Sequence, residues 1–257
     1  MYQLLAYIKY WLLSVNEHSL HSPFLYKCYT EVVKSKSNEH DSAIEELRKQ
    51  LLKNGTIVEI EEMGAGSRVN SSNARKINEI AKHSATPTRF SLLLSRIIQQ
   101  YDFKSIVELG TSLGLNTAYL AKSNEQAEVT TFEGSETIAE LATQHFEQLG
   151  LKNIELIIGN IDQTLEPWLA NTKSIDLAYL DANHRYEPTI RYFNLLLPKM
   201  NKQGMIILDD IHWSKEMNQA WNELKNHVQV SISIDLFEGG ILFLNPEIPK
   251  DQYILSF

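Results

Sequence analysis

Residues 106–114 read Ile106-Val-Glu-Leu-Gly-Thr-Ser-Leu-Gly114, an apolar run that ends in a loop framed by two glycines. Ile106, Val107 and Leu109 have the composition of a buried strand, and Glu108 sits one position before its end. Gly110 and Gly114 bracket the turn, and Leu115–Lys122 reads as a helix. Glycine suits such a turn because a side chain blocks close approach of a ligand to the backbone, and because some turn positions need φ > 0. The stretch predicts a strand, a tight loop and a helix in succession.

Working outward, a second strand over Glu128–Phe132 ends in Glu133, 23 residues beyond Gly110. In nucleotide-type α/β folds, an acid about 20 residues past the glycine loop sits at the tip of the second strand, within reach of ribose hydroxyls. A dinucleotide site needs G-x-G-x-x-G to seat a pyrophosphate on the helix N-terminus. This loop is Gly-x-x-x-Gly, and Glu108 would repel a diphosphate. A ligand with a ribose, a positive centre and no phosphate fits better. S-adenosylmethionine meets those terms, so the loop predicts methyl-transfer chemistry.

From Phe90 onward the pattern is regular. Helix 92–100 precedes strand 105–109, and the loop leads into helix 115–122. Strand 128–132, helix 135–149, strand 154–158 and a short helix near 163–169 follow. Strand 175–180, helix 187–197, strand 205–208 and helix 215–227 complete the alternation. Such alternation means a parallel sheet with right-handed crossovers. Val230–Leu236 and Ile241–Leu244, joined through Gly239-Gly240, read as a closing hairpin that adds one antiparallel strand. Upstream, apolar spacing predicts a helix over 2–14, and Ser22 with Pro23 predicts a helix start. A charged helix over 41–53 stops at Asn54-Gly55. Glu61–Ser67 is a second glycine loop, but polar residues follow it and no strand ending in an acid does; it is assigned a structural or substrate-side role. Residues 1–89 are therefore expected to be a mainly helical extension or lid, and residues 90–257 a cofactor-binding domain.

In open α/β sheets ligands bind outside the carboxyl ends of the strands. Those ends here carry Glu108 and Gly110, Glu133, Gly159 and Asn160, Asp181, and Asp209 with Asp210. With Val107–Gly114, Thr131–Gly134, Leu180–His184 and Ile207–Asp210, residues 90–245 resemble a class I S-adenosylmethionine-dependent methyltransferase, and within that superfamily the catechol/caffeoyl-CoA type of O-methyltransferase. The resemblance implies a Rossmann-like, doubly wound, seven-stranded α/β sheet whose last strand is antiparallel. It implies that Glu108, Gly110, Thr111, Ser112 and Gly114 approach the methionine part of the cofactor. Glu133 and Gly134 would take the ribose, Asn160 and Ile161 would border the adenine, and Asp181 would also lie at the cofactor.

In that subfamily an Asp after the fourth strand and an Asp-Asn pair after the fifth bind a divalent cation. Asp181 matches the first, Asp209 the second, and Asp210 replaces the Asn. Three carboxylates brought together are costly unless a cation neutralises them, and hard oxygen donors suit Mg²⁺ or Mn²⁺. The alternative is that Asp209 and Asp210 cap the following helix and work without a metal. His184 stands where the metal-dependent relatives carry a basic lysine, so it is the candidate general base, with Asp181 as its catalytic partner. It could equally ligate a metal or face solvent, and His212 is a second candidate base. Trp213, Met217, Trp221 and Leu224 recur at helical spacing and read as core.

A net charge of −8 argues against broad binding to nucleic acid or anionic membranes. The stretch from Arg68 to Arg96 departs from this, with six basic residues and one acid, Glu79. The single cysteine, Cys28, excludes an internal disulfide and a cysteine-rich zinc site. The apolar start, Met1–Leu13, is too short to span a bilayer, so a cytoplasmic location is expected. The expected partner is a small hydroxylated substrate, and the amphipathic first helix can serve a homodimer interface. The competing functions are modification of RNA, guided by the basic stretch, and S-adenosylmethionine binding without catalysis.

Overall fold

The computed structural model describes residues 1–35, 41–60 and 73–257. The chain forms two compact units, one of Met1–Lys36 with Thr172–Phe257 and the other of Ser37–Asn171. The second glycine loop, Glu61–Ser67, and the start of the basic stretch at Arg68 lie outside the described residues. The first unit opens with α1, Tyr2–Leu13, as its apolar spacing predicts. Helix α2, Pro23–Lys27, starts where Ser22 Oγ accepts the Leu25 N–H, with Pro23 in the first turn, and runs on into a π-helical turn over Cys28–Val33.

In the unit Ser37–Asn171, α3 is Ser42–Lys53, capped by Asp41, whose Oδ1 accepts the Ala43 and Ile44 N–H groups at 3.0 Å each. Strands β1, Ile57–Glu59, and β2, Ala74–Lys76, pair antiparallel. Helices α4, Ile77–His83, and α5, Thr88–Tyr101, follow. Then come β3 Ser105–Leu109, α6 Leu115–Ser123, β4 Glu128–Glu133, α7 Glu136–Gln148, β5 Ile154–Ile158 and α8 Ile161–Asn171. β4 pairs in parallel with β3 and with β5, placing Glu108 opposite Thr131 and Glu133 opposite Ile158. Ile44, Leu47, Leu51, Ile77 and Ile80 share a core with Leu113, Leu115 and Tyr119. The upstream helices thus support the glycine loop from behind, a packing that no local pattern announced.

Gly114 has φ +77°, and a Cβ there would lie 2.5 Å from the Phe146 ring. The glycine is therefore required twice, by its backbone and by the close approach of α7.

The rest of the first unit consists of β6 Ile175–Leu180, α9 Tyr186–Leu196, β7 Met200–Asp209, α10 Lys215–Leu224, β8 Ile232–Asp235, β9 Gly239–Phe243 and β10 Asp251–Ile254. Their order is β10-β8-β9-β7-β6, and β9 alone among them runs antiparallel to its neighbours. The antiparallel strand is not the last in the chain, as expected, but the one before last, because a further strand, β10, follows it. The added strand, β10, reads Asp-Gln-Tyr-Ile, with no apolar alternation to reveal it. Backbone pairing to β8 and the hydroxyls of distant tyrosines hold it. Tyr10 Oη donates to Leu255 O at 2.6 Å, and Tyr29 Oη donates to Ser256 O at 2.9 Å. Met217, Trp221 and Leu224 are buried, as their spacing predicts, while Trp213 is half-buried. No helix among the described residues is long and apolar enough to cross a membrane.

Candidate active site

Glu108 is fully buried on β3, and its carboxylate is met by three side-chain donors. Asn116 Nδ2 donates to Oε1 at 2.7 Å; Thr117 and Thr131 hydroxyls donate to Oε2 at 2.5 and 2.7 Å. Thr131 thereby spends its proton on Glu108, so the 2.7 Å contact between Thr111 and Thr131 has Thr111 as donor. Burial pushes the Glu108 carboxyl up to about 7, against the pull of these three hydrogen bonds, and Glu133 adds to the rise. Asn116 and Thr117 were not singled out from the sequence. The signal was available: two polar residues stand in the first turn of a helix whose next four positions are Ala-Tyr-Leu-Ala.

The loop itself is closed by its own backbone. Gly110 and Thr111 N–H groups both donate to Phe132 O, at 3.1 and 3.0 Å, and Gly114 N–H donates to Thr111 O at 2.9 Å. Ser112, at φ 49°, gives its N–H to Glu133 Oε2 at 2.8 Å. These amides are occupied, so the loop is no phosphate cradle, which agrees with the spacing argument against a dinucleotide. Glu133 Oε1 accepts the Ser135 N–H at 3.0 Å, and the Gly134 N–H also bonds this carboxylate. Three amides on two oxygens leave one of the carboxylate's four acceptor directions open, enough for a ribose hydroxyl. Burial raises the Glu133 pKa while the three amides hold it down. Gly159, at φ 127°, donates its N–H to Glu133 O at 2.8 Å. Asn160 caps α8 through its Oδ1, which accepts the Asp162 N–H at 3.0 Å, and Ile161 is buried behind it. The structure thus gathers Glu108, Gly110–Gly114 and Glu133, with Gly159 bonded to Glu133.

In the other unit, Asp181, Asp209 and Asp210 stand at the ends of β6 and β7. The Asp181 carboxyl group hydrogen-bonds that of Asp209, and burial together with the Asp210 charge drives the Asp209 pKa upward. Asp210, at φ 52°, is raised by burial; His184 opposes the rise and Glu238 adds to it. His184 Nε2 lies 3.5 Å from Asp181 Oδ1. Burial lowers the His184 pKa, so the ring tends to stay neutral, the form a proton acceptor needs. Asn183 and His184 both have positive φ, and Asn183 Nδ2 anchors the turn by donating to Tyr192 Oη at 2.9 Å. The oxygen-rich donor chemistry suits a divalent cation. Among the described residues, however, no three His, Cys, Asp or Glu side chains are arranged as a set that could hold one. The capping role considered for Asp209 and Asp210 belongs to Ser214, whose Oγ accepts the Met217 N–H at 3.1 Å.

His212 is occupied at both nitrogens. Asn222 donates to Asn218 Oδ1 at 3.0 Å, which leaves Asn218 Nδ2 to face His212 Nδ1 at 3.1 Å. Nδ1 is then an acceptor, and Nε2 carries the proton donated to Asp235 Oδ2 at 2.8 Å. His212 is therefore fixed in place, stacked on Phe237 at 5.2 Å, and is not placed to remove a substrate proton. Asp235 also accepts the Phe237 N–H at 2.9 Å, and Glu238 O accepts the Asp210 N–H at 2.7 Å. The β8–β9 turn, unremarked in the sequence, thus holds Asp210.

Residues 107–211 match the methyltransferase-domain family. A tRNA (guanine-N(7)-)-methyltransferase from Mycoplasma mobile is 30% identical over 122 residues, 44% of this chain and 61% of that protein. The chain spans less than two thirds of the curated relatives it matches, 61% of this one and 26% of another. Among solved structures, the S-adenosylhomocysteine-bound methyltransferase PaMTH1 of Podospora anserina superposes with a TM-score of 0.61 at 15% identity, covering 87% of this chain and 96% of that one. The O-methyltransferase of Bacillus cereus in complex with S-adenosylhomocysteine gives 0.58 at 19% identity, over 83% and 94%. Residues 107–211 thus match a methyltransferase-domain model, and the fold is that of the solved methyltransferases.

Proposed function

We propose that this protein transfers the methyl group of S-adenosylmethionine to an oxygen of a small hydroxylated molecule. The observation that carries the reading is the Glu133 carboxylate, fixed by the Ser112, Ser135 and Gly134 amides and still able to accept a ribose hydroxyl, inside a region that matches a methyltransferase domain. Gly110, Thr111, Ser112 and Gly114 shape the wall for the methionine part. Glu108 sets that wall from below through Thr131 and Thr111. Gly134, Asn160 and Ile161 take the ribose edge and the adenine, and the resemblance assigns Asp181 to the cofactor as well.

The sulfonium is already activated, so the residues have to align the acceptor and remove its proton. An oxygen lone pair forms the new bond to the methyl carbon, the carbon–sulfur pair stays on sulfur as a neutral thioether, and His184 takes the hydroxyl proton. Asp181, 3.5 Å away, orients His184 and stabilises its charged form. Asp181, Asp209 and Asp210 are the residues that the resemblance assigns to Mg²⁺ or Mn²⁺, but among the described residues they are not arranged as a cation-holding set, so no step here passes through a metal. Residues 1–89 form the extension that selects the acceptor, and the setting is cytoplasmic.

Calorimetric titration of chelator-treated protein with S-adenosylhomocysteine tests the donor site. Binding that weakens at least about tenfold in Glu133→Ala is the expected result, and no binding at all would overturn the reading. Repeating it with Mg²⁺, Mn²⁺ and Asp209→Ala tests the cation. A second reading, methylation of RNA, draws on the Mycoplasma mobile relative and on the exposed Lys76, Lys82 and Arg89. Transfer of labelled methyl to small catechols but not to tRNA transcripts favours the first reading, and the converse favours the second.

A further inference from the structure

Helix α1 is anchored on one side and open on the other. Tyr10 is 8% exposed and bonds Leu255 O, and Tyr7 and Tyr10 pack on Phe237 with ring centroids 5.0 and 5.4 Å apart. The outward face carries Met1, Leu4, Leu5, Ile8, Trp11 and Leu12, which recur at three- and four-residue spacing and so form one stripe. Leu4, Leu5, Trp11 and Leu12 are each between 61% and 67% exposed. A helix pinned this firmly does not expose such a stripe through fraying.

The size and charge of the stripe select its occupant. Large apolar side chains at this exposure present on the order of 800 Å², the share that one partner contributes to a standard interface. Contiguous apolar patches on monomeric proteins are usually a few hundred Å². Lys9 is the only charged residue of α1, and a net charge of −8 gives no attraction to an anionic bilayer. A second copy brings the same uncharged stripe, and a two-fold axis sets that patch against itself. We propose that the outward stripe of α1 is the self-association surface of this protein, with α1 of one copy lying across α1 of another. This goes beyond methyl transfer and does not depend on it. Because α1 rests on Phe237, beside the turn that holds Asp210, the interface is built onto the acidic region.

Sedimentation velocity over a wide concentration range tests the proposal, with far-ultraviolet circular dichroism confirming that each variant folds. The wild type is expected to dimerise reversibly, and Leu4→Glu with Trp11→Glu to weaken the dimer about a hundredfold. Val228→Glu, at a residue 85% exposed outside the stripe, is expected to leave it unchanged. Three results would overturn the proposal. These are a monomer at every concentration, a dimer that ignores the α1 changes, and a monomer that co-sediments with phosphatidylcholine vesicles through α1.

Discussion

At the end of β3, Glu108 meets three side-chain donors, whereas at the ends of β6 and β7 the Asp209 carboxyl meets that of Asp181 and the charge of Asp210. Both regions bury acid, and both raise its pKa, but for different reasons. Glu108 is penalised by desolvation and compensated by hydrogen bonds, so its neighbours depend on it. Asp209 is penalised by desolvation and next by the Asp210 charge, which outranks its bonds to Asp181, Tyr179 and the Asp210 amide, whereas the like charge of Glu133 is the least of the causes acting on Glu108. Buried polar groups with all partners in place rigidify a site, while crowded like charges leave a site waiting for a proton, a cation or a substrate. Backbone strain divides the same way. The glycine loop has one non-glycine residue at positive φ, Ser112, while Asn183, His184, Asp210 and Phe237 all do so in the acidic region. Such strain persists where the surroundings over-determine it, and it gathers at functional sites.

The sharpest break between the two regions comes from removing each acid in turn. Glu108→Ala leaves Asn116, Thr117 and Thr131 without their acceptor and is expected to destabilise the fold by about 4 kcal/mol in urea unfolding. Glu108→Gln is milder, because Asn116 Oδ1 is buried without a partner and an amide flip would turn it toward the new NH₂ group. The same variant isolates a pH effect. The native carboxyl, raised from 4.5 to about 7, keeps its proton where the unfolded one has lost it. The stability it contributes is therefore full below pH 4.5 and is lost as pH rises through 7, by about 3 kcal/mol in all. Glu108→Gln should remove that slope. An unchanged slope would mean that Glu108 is already ionised at low pH and that its donors outweigh burial.

Asp209→Asn should move stability the other way. Relieving the crowd of carboxyls is expected to stabilise the protein by about 1 kcal/mol at neutral pH while methyl transfer is lost. Thermal unfolding in chelator separates the outcomes. If Asp209→Asn destabilises instead, the proton shared with Asp181 is structural, and the contrast between the regions disappears.

The two regions also differed in how far the sequence exposed them. The βα alternation, the strand-end acids and the glycine spacing could all be read directly, because period, turn chemistry and distance along the chain are local properties. The donors that surround Glu108 come from β4 and α6, and the turn that holds Asp210 comes from the β8–β9 connection. The bond from Thr131 and the hold on Asp210 depend on register and on contacts between separated segments, which composition does not encode, whereas Asn116 and Thr117 stand out locally as polar residues in an apolar helix. The polar edge strand β10 has no local signal: its backbone pairs with β8, and the residues just after it are held by Tyr10 and Tyr29, more than two hundred residues away. A histidine beside two aspartates reads as a second candidate base, and only the fold shows that Asn218 and Asp235 use both nitrogens of His212.

The smallest expected effect sharpens the comparison most finely, because it separates backbone from side chain within the glycine loop. Ser112 gives Glu133 its amide, and it holds φ 49° with a Cβ that disfavours that conformation. Ser112→Gly keeps the amide and removes the Cβ, so stability should rise by about 0.5 kcal/mol, offset in part by the freer unfolded chain. Affinity for S-adenosylhomocysteine should stay within about twofold, since the Glu133 carboxylate would remain in place. A tenfold loss would instead assign the Ser112 hydroxyl a direct contact with the cofactor. The first region would then be, like the second, a place where side chains wait for a ligand, and satisfied hydrogen bonding would no longer distinguish it.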